Sequence, residues 1–90
     1  MAEDIEIRRK RLRFRSWHRG TKELDLLLGG FADRELGAMA TAELDRYEAL
    51  LEVPEPALYA WLTRQDVPPP EFDHEVMRRV IEFALAPGRS

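Results

Sequence analysis

The helical spacing of apolar residues is the feature that most limits the folds open to this sequence. Leu24, Leu27, Leu28 and Phe31 follow the i, i+3, i+4, i+7 pattern of a buried helical face. No segment sustains the apolar–polar alternation of a half-buried strand, and ninety residues suffice for one small domain. The sequence therefore predicts an all-α protein, a compact five-helix bundle in which residues 1–90 form a single domain.

Turn and cap residues divide the chain into the five predicted helices. The predicted helix starts are Asp4, Gly20 or Thr21, Thr41, the pair Pro54 and Pro56, and Asp73. The first helix is predicted to end near Trp17 and the third near Glu52. The three prolines at 68–70 predict a stiff connector, and residues 87–90 a frayed tail.

The same spacing predicts which side chains form the core. They come from four segments: Leu24, Leu27, Leu28, Leu51, Leu58, Trp61, Val80 and Phe83. Tyr59, beside Trp61, is also predicted to pack inside. Gly29 and Gly30 lie within the second helix, where each glycine costs about 1 kcal/mol relative to alanine. They predict a bend or the close approach of another backbone, and Gly37 is a predicted stop.

Charge is distributed unevenly along the sequence. The net charge is −3, yet residues 1–22 contain eight bases and three acids, which leaves an excess of acids in the remainder. The first helix is predicted to pack at one end and to leave its arginines solvated. A basic segment of this kind can steer an acidic partner towards the protein.

Residues that could support catalysis or metal binding are scarce. There is no cysteine, and the two histidines, His18 and His74, are far apart in sequence. Ser16 stands near His18, but a nucleophile needs a base that a third group orients, and adjacency in sequence supplies none of this. We therefore predict no catalytic residue, no metal site and no enzymatic activity.

The sequence also bears on location. No apolar run approaches the ~20 residues that span a bilayer. The acidic start, with Glu3, Asp4 and Glu6, is unlike a secretory signal or a mitochondrial presequence. We expect a bacterial cytoplasmic protein without a processed leader and without direct membrane insertion.

The basic segment meets the apolar second segment at Arg19-Gly20-x-x-Glu23. On physical grounds alone this corner has a structural explanation. Gly20 lets the chain turn, Glu23 reaches back to free amide groups at the helix start, and Arg19 is solvated. Taken alone, this stretch favours the structural explanation.

Two sequence marks change this interpretation. The first is Arg19-Gly20-x-x-Glu23-Leu24-Asp25, and the second is Tyr47-Glu48-x-Leu50-Leu51-Glu52 followed by Leu58-Tyr59-x-Trp61-Leu62. In their order and spacing the chain resembles, over roughly residues 8–85, the succinate dehydrogenase assembly factors of the SdhE type. The spacer before the last mark is commonly acidic in that family, whereas residues 53–57 here contain one acid, Glu55.

The resemblance implies a non-catalytic chaperone that binds the flavoprotein subunit of succinate dehydrogenase and promotes covalent attachment of FAD to it. Fumarate reductase is a candidate second partner. FAD would be carried by the flavoprotein, with no cofactor bound stably by this chain. The implied contact surface is centred on Arg19, Gly20 and Glu23. Its predicted further members are Arg15, His18, Lys22 and Asp25.

One alternative belongs to another class of function. The basic segment from Arg8 to Lys22, with Phe14 and Trp17 interleaved, could bind nucleic acid through phosphate contacts and base stacking. The acidic remainder of the chain and a pI near 5.4 oppose this, because nucleic-acid-binding domains are typically basic. We therefore predict a protein partner and no nucleic acid.

Overall fold

The computed structural model describes residues 4–86, and it has five α-helices and no strand in that range. The helices are α1 (Ile5–Trp17), α2 (Lys22–Glu35), α3 (Thr41–Leu51), α4 (Glu55–Leu62) and α5 (Glu75–Leu85). Short 3-10 helices lie at Leu36–Ala38 and Pro70–Phe72. The predicted all-α, five-helix fold is confirmed. The tail predicted at 87–90 lies outside the described residues.

All five helices contribute to one cluster of buried apolar side chains. Seven of the eight predicted core residues are buried in it, and the exception is Phe83. Phe83 is half-buried because it closes the edge of the core, where its ring meets the buried Phe31 edge-on at 5.9 Å. Tyr59 is likewise half-buried, so the prediction that it lies inside holds only for part of its ring.

A buried polar contact joins α1, α2 and α3. The hydroxyl groups of Ser16 and Tyr47 lie 2.6 Å apart, and neither side chain is exposed. One hydroxyl donates to the other, and each oxygen also lies near a backbone carbonyl: Ser16 Oγ is 2.8 Å from that of Leu12, and the Tyr47 oxygen is 3.3 Å from that of Leu28. Burial raises the pKa of Tyr47, which keeps its phenol protonated. Ser16 is thus a buried residue that helps to join the helices.

Two predicted helix starts are wrong by one residue. Thr41 is already helical, and the cap position belongs to Ala40, whose amide donates to the Glu43 carboxylate. At α5 the cap is His74, whose Nδ1 accepts from the amide of Met77 at 3.1 Å. Burial lowers the pKa of His74, which favours the neutral ring that this bond requires.

The remaining helix starts agree with the sequence. The carboxylate of Asp4 caps α1 by accepting from the amide of Glu6 at 2.8 Å. Thr21 occupies the cap position of α2, although its hydroxyl makes no capping bond. Asp73, which was predicted to cap α5, instead forms an ion pair with Arg78 at 2.9 Å.

The two adjacent glycines of α2 are closely approached by side chains. The sequence had predicted the approach of another backbone. A Cβ on Gly29 would lie 2.2 Å from Cδ2 of Trp17, and one on Gly30 would lie 3.2 Å from Cζ of Phe83. Glycine lowers the helix propensity at these positions, but its lack of a side chain allows α1 to pack closely against α2. Gly37 does not end α2 directly, because it lies in the 3-10 helix that follows.

The end of α4 has an unusual backbone. Arg64 follows the C-cap residue Thr63 and has a φ of +61°, in the left-handed region where glycine is favoured. The amides of Arg64 and Gln65 donate to the carbonyl oxygens of Trp61 and Ala60. These are the two bonds of a Schellman motif, here formed with arginine at the glycine position.

Candidate docking site

Residues 18–21 join α1 to α2 and form an exposed corner whose shape is set by Asp25. One carboxylate oxygen of Asp25 accepts from the amides of Arg19 at 2.6 Å and Gly20 at 3.3 Å. Gly20 has a φ of +120°, which L side chains rarely adopt. Among residues 4–86, the one atom within 4 Å of a Cβ at this position would be Glu55 Oε1, at 3.7 Å. The corner thus needs glycine for its backbone, and a Cβ there would make an ordinary van der Waals contact with Glu55.

Arg19 is not solvated, contrary to the structural explanation drawn from the sequence. Its half-buried guanidinium donates to the carbonyl oxygens of Leu51, at the end of α3, and of Val53, the latter at 3.0 Å. Carbonyl groups at a helix end lack partners within the helix, and a nearby cation is favoured there. Arg19 therefore ties the corner to α3. Its contact with a partner protein stays a prediction.

Glu23 also differs from its expected role. Its exposed carboxylate does not reach back to the amides of the corner, because Asp25 accepts those bonds. It accepts instead from the hydroxyl of Tyr59 on α4, with Oε2 3.0 Å from that oxygen. This hydrogen bond raises the pKa of Tyr59. The pair of Glu23 and Tyr59, here called the Glu23–Tyr59 pair, joins α2 to α4 at the surface.

A cleft lies on each side of the Glu23–Tyr59 pair. The first, of about 230 Å³, is completed by Thr21, Leu24, Glu55 and Pro56. The second, of about 250 Å³, is lined by Thr63 and chiefly by apolar side chains: Leu26, Leu27, Leu62, Ala84 and Leu85. Leu26 and Leu85 are each about half exposed. Apolar surface beside an exposed corner is typical of a protein-docking site.

The other predicted site residues lie around the corner with different environments. His18 is exposed, and its ring stacks on that of Phe14 with centroids 4.0 Å apart. Lys22 is exposed at the first position of α2. Arg15 forms an ion pair with Glu48 of α3 and binds the carboxylate of Glu52, just after that helix. The structure thus brings Gly20, Glu23 and Lys22 to one end of α2, while Arg15 is held against α3.

The basic face of α1 is largely neutralised within the protein. Arg8 forms ion pairs with Asp45 at 2.7 Å and with Glu48 at 2.9 Å. Arg11 and Arg15 also pair with Glu48. Burial raises the pKa of Glu48, but the hydrogen bonds from Arg11 and Arg8 lower it by more, so its pKa lies below the ordinary value.

These ion pairs correct the prediction of solvated arginines on α1. Arg8, Arg11 and Arg15 already face carboxylates of α3, and Arg13 lies 3.7 Å from the carboxylate of Asp33 on α2. A phosphate group would have to displace those carboxylates and would meet their repulsion. The charge distribution in space therefore argues against the nucleic-acid alternative more strongly than the sequence did.

Several residues that line this surface were not predicted as site members, among them Leu26, Glu55, Tyr59 and Leu85. Leu26 carried a usable signal, since it lies off the buried face defined by Leu24, Leu27 and Leu28. The spacing of residues gave no signal for the role of Tyr59, because its bond to Glu23 joins residues 36 positions apart.

Residues 4–86 offer neither a membrane span nor a metal centre. No helix there is long and apolar enough to cross a membrane. No group of three or more histidine or acidic side chains in that range is arranged to hold a metal ion.

Comparisons with known proteins agree with the resemblance noted in the sequence. A family model described as "Flavinator of succinate dehydrogenase" matches residues 10–84. The FAD assembly factor SdhE of Acetobacter pasteurianus is 42% identical over 83 residues, which are 91% of this chain and 76% of that protein. Mitochondrial succinate dehydrogenase assembly factor 2 of Dictyostelium discoideum is 38% identical over 77 residues, which are 86% of this chain and 55% of that protein.

A third relative extends this similarity to yeasts. The mitochondrial assembly factor 2 of Scheffersomyces stipitis is 46% identical over 69 residues, covering 76% of this chain and 46% of that protein. The chain spans about half the length of these mitochondrial relatives. The family match includes the whole corner and both clefts except Leu85. This chain belongs to the family of flavinators of succinate dehydrogenase.

Proposed function

We propose that this protein is an assembly factor that binds the flavoprotein subunit of succinate dehydrogenase and promotes the covalent attachment of FAD to it. The family membership supports the activity. The structural observation that carries the docking surface is the exposed corner at Gly20, where the absence of a side chain leaves the backbone accessible beside the carboxylate of Glu55. A partner backbone or ring can approach this position closely because no side chain intervenes.

The protein acts by binding and not by catalysis of its own. FAD and the flavoprotein supply the reacting groups, a flavin methyl carbon and a histidine nitrogen. Holding two groups in reactive geometry can by itself lower a barrier by ~7 kcal/mol or more. An assembly factor that stabilises the productive conformation of its partner therefore needs no catalytic residue and no stably bound FAD.

The corner is rigid enough to act as a docking element. Asp25 fixes its two amides, Arg19 anchors it to the end of α3, and Trp17 packs into α2 immediately before it. A surface that is already ordered loses less conformational entropy on binding. Arg19 and Asp25 thus support the proposed function by shaping the corner around Gly20 and Glu23.

A comparison of substitutions at Gly20 tests this function. Any side chain is strained at a φ of +120°, so Gly20→Ala and Gly20→Trp should each lose about 1–2 kcal/mol of stability. Only the bulky side chain should block docking. Tryptophan is preferable to arginine here, because an arginine could pair with the carboxylate of Glu55. Gly37→Trp is the matched control, since no atom of residues 4–86 lies within 4 Å of a Cβ there.

Each variant is assayed by thermal melting, by titration with the flavoprotein subunit and by in-gel fluorescence of covalently bound flavin. Gly20→Trp is expected to fold, to lose binding and to fail in FAD attachment, while Gly37→Trp retains both. Normal binding by folded Gly20→Trp would refute the docking surface. The same assay with the flavoprotein of fumarate reductase tests the proposed second partner.

A further inference from the structure

We propose that Tyr59 is a positioning residue, whose hydroxyl holds the Glu23 carboxylate so that its second oxygen can accept a bond from a basic side chain of the partner protein. This inference rests on the proposed function, because it assumes that the flavoprotein docks at the Gly20 corner. It adds to that function a residue on another helix and the chemical class of the partner group.

The two members of the pair differ in how firmly they are held. The ring of Tyr59 packs against the hydrophobic core, which fixes the direction of its hydroxyl. Glu23 is exposed, and a free glutamate at a helix surface would sample several rotamers. The hydrogen bond from the Tyr59 hydroxyl to Oε2, at 3.0 Å, selects one of these conformations before the partner arrives. Binding then requires less ordering of the Glu23 side chain.

The bond also leaves acceptor capacity on Glu23. Within residues 4–86 no hydrogen-bond donor reaches its Oε1. A carboxylate accepts several hydrogen bonds, and those from a cationic donor are the strongest. In the described part of the chain neither flanking cleft is lined by an arginine or lysine, and Glu55 adds a second carboxylate to the first cleft. The group that complements this surface is therefore a basic side chain.

Tyr59 can act as the donor throughout the physiological pH range. The bond to Glu23 raises its pKa, so its phenol stays protonated at neutral pH. Two simpler roles for Tyr59 predict different results. If the bond serves only to tie α2 to α4, its loss should change stability and not affinity. If Tyr59 touches the partner by itself, its effect on affinity should not depend on Glu23.

A double-mutant cycle separates these three roles. The variants are Tyr59→Phe, Glu23→Ala and their combination, each titrated with the flavoprotein subunit of succinate dehydrogenase. Tyr59→Phe is expected to raise the Kd on the order of five-fold in the wild-type background, as the loss of one hydrogen bond would. It should leave the Kd unchanged when Glu23 is already alanine, because there is then no carboxylate to position.

The buried Tyr47 provides the matched control. Tyr47→Phe removes a buried hydroxyl that bonds Ser16 and Leu28, so it should lower the Tm and leave the Kd unchanged at temperatures where it is folded. Tyr59→Phe removes a surface hydroxyl, so it should raise the Kd and leave the Tm unchanged. Ultraviolet titration of the phenolate tests the contact directly: Glu23→Ala should shift the titration of Tyr59 to lower pH.

The possible results are distinguishable. An unchanged Kd in Tyr59→Phe, with weaker binding in Glu23→Ala, overturns the positioning role and leaves the proposed function intact. An equal loss from Tyr59→Phe in both backgrounds also overturns it and makes Tyr59 a direct contact. Normal binding by Glu23→Ala overturns the positioning role, because there is then no partner contact at Glu23. Normal binding by folded Gly20→Trp refutes the docking surface, and the positioning role falls with it.

Discussion

Replacing Gly29 with alanine should destabilise this protein, although alanine is the better helix former. Gly29 is buried in α2 under the indole of Trp17, the last residue of α1. A Cβ there would lie 2.2, 2.4 and 2.6 Å from three atoms of that ring. Carbon atoms in contact ordinarily stand ~3.5–4.0 Å apart. The substitution therefore cannot be accommodated unless the ring or the helix moves.

The size of the effect follows from two opposing contributions. Restoring a separation of ~3.5 Å requires a shift of roughly 1.3 Å between the ring and α2. Overpacking of this kind typically destabilises by ~1–3 kcal/mol. Better helix propensity returns ~1 kcal/mol, while displacement of the ring also strains the bond from Trp17 Nε1 to Asp33. We expect a net loss of about 1–2 kcal/mol, because the clash involves rigid ring atoms.

Urea and thermal unfolding followed by circular dichroism measure this loss. A decrease of 1–2 kcal/mol in a domain of this size lowers the Tm by roughly 4–15 °C. Gly37→Ala is the matched control, because in the described part of the chain nothing lies within 4 Å of a Cβ at that position. It should leave stability unchanged within about 0.5 kcal/mol or raise it slightly.

A second substitution tests the cause. In a Trp17→Leu background the ring is absent, so Gly29→Ala should become neutral or stabilising by up to ~1 kcal/mol. If Gly29→Ala raises the Tm while Trp17 is intact, the proposed packing of α1 on α2 is wrong. An equal loss with and without the Trp17 ring would mean that something else opposes a side chain at Gly29.

Two further predictions concern backbone strain and pH. Arg64→Gly should raise the free energy of unfolding by about 0.5–1 kcal/mol, because glycine tolerates the φ of +61°. Urea unfolding measures this gain. No gain from glycine, or an equal gain from Arg64→Ala, would contradict the backbone strain. The pKa of Glu48 lies below its ordinary value, because hydrogen bonds from Arg11 and Arg8 outweigh the effect of burial. Its contribution to stability is therefore present above about pH 4.3 and is lost as the pH falls through the lowered pKa. The Tm of the wild type should fall more steeply between about pH 5 and 3 than that of Glu48→Gln, and parallel curves would refute the assignment.

The helices and their inward faces could be predicted because both depend on residues a few positions apart. Leu24, Leu27 and Leu28 lie on the buried side of α2 as their spacing required. Asp4 caps α1 through a bond that spans two residues. The caps at Ala40 and His74 were missed because neither residue has a strong intrinsic preference for that position. Glu43 and the neutral imidazole supply the missing bonds.

The candidate site was only partly predictable. Its location at Arg19, Gly20 and Glu23 came from the resemblance to a family, and the need for glycine followed from the turn between two helices. The roles of the individual side chains did not follow. Asp25, not Glu23, holds the corner, and Arg19 is bonded to the end of α3.

By itself, the sequence determined five helices, most of the core and the position of the corner, because local periodicity and capping decide these features. Only the tertiary structure decided which charges and rings meet. Arg8 pairs with Glu48 across 40 residues, and Tyr59 with Glu23 across 36. The arginines of the basic segment, which the sequence predicted to be solvated, are thus largely neutralised by carboxylates in the folded structure. The physical reason is that the partner of a long side chain depends on how helices pack, which no short stretch of sequence encodes.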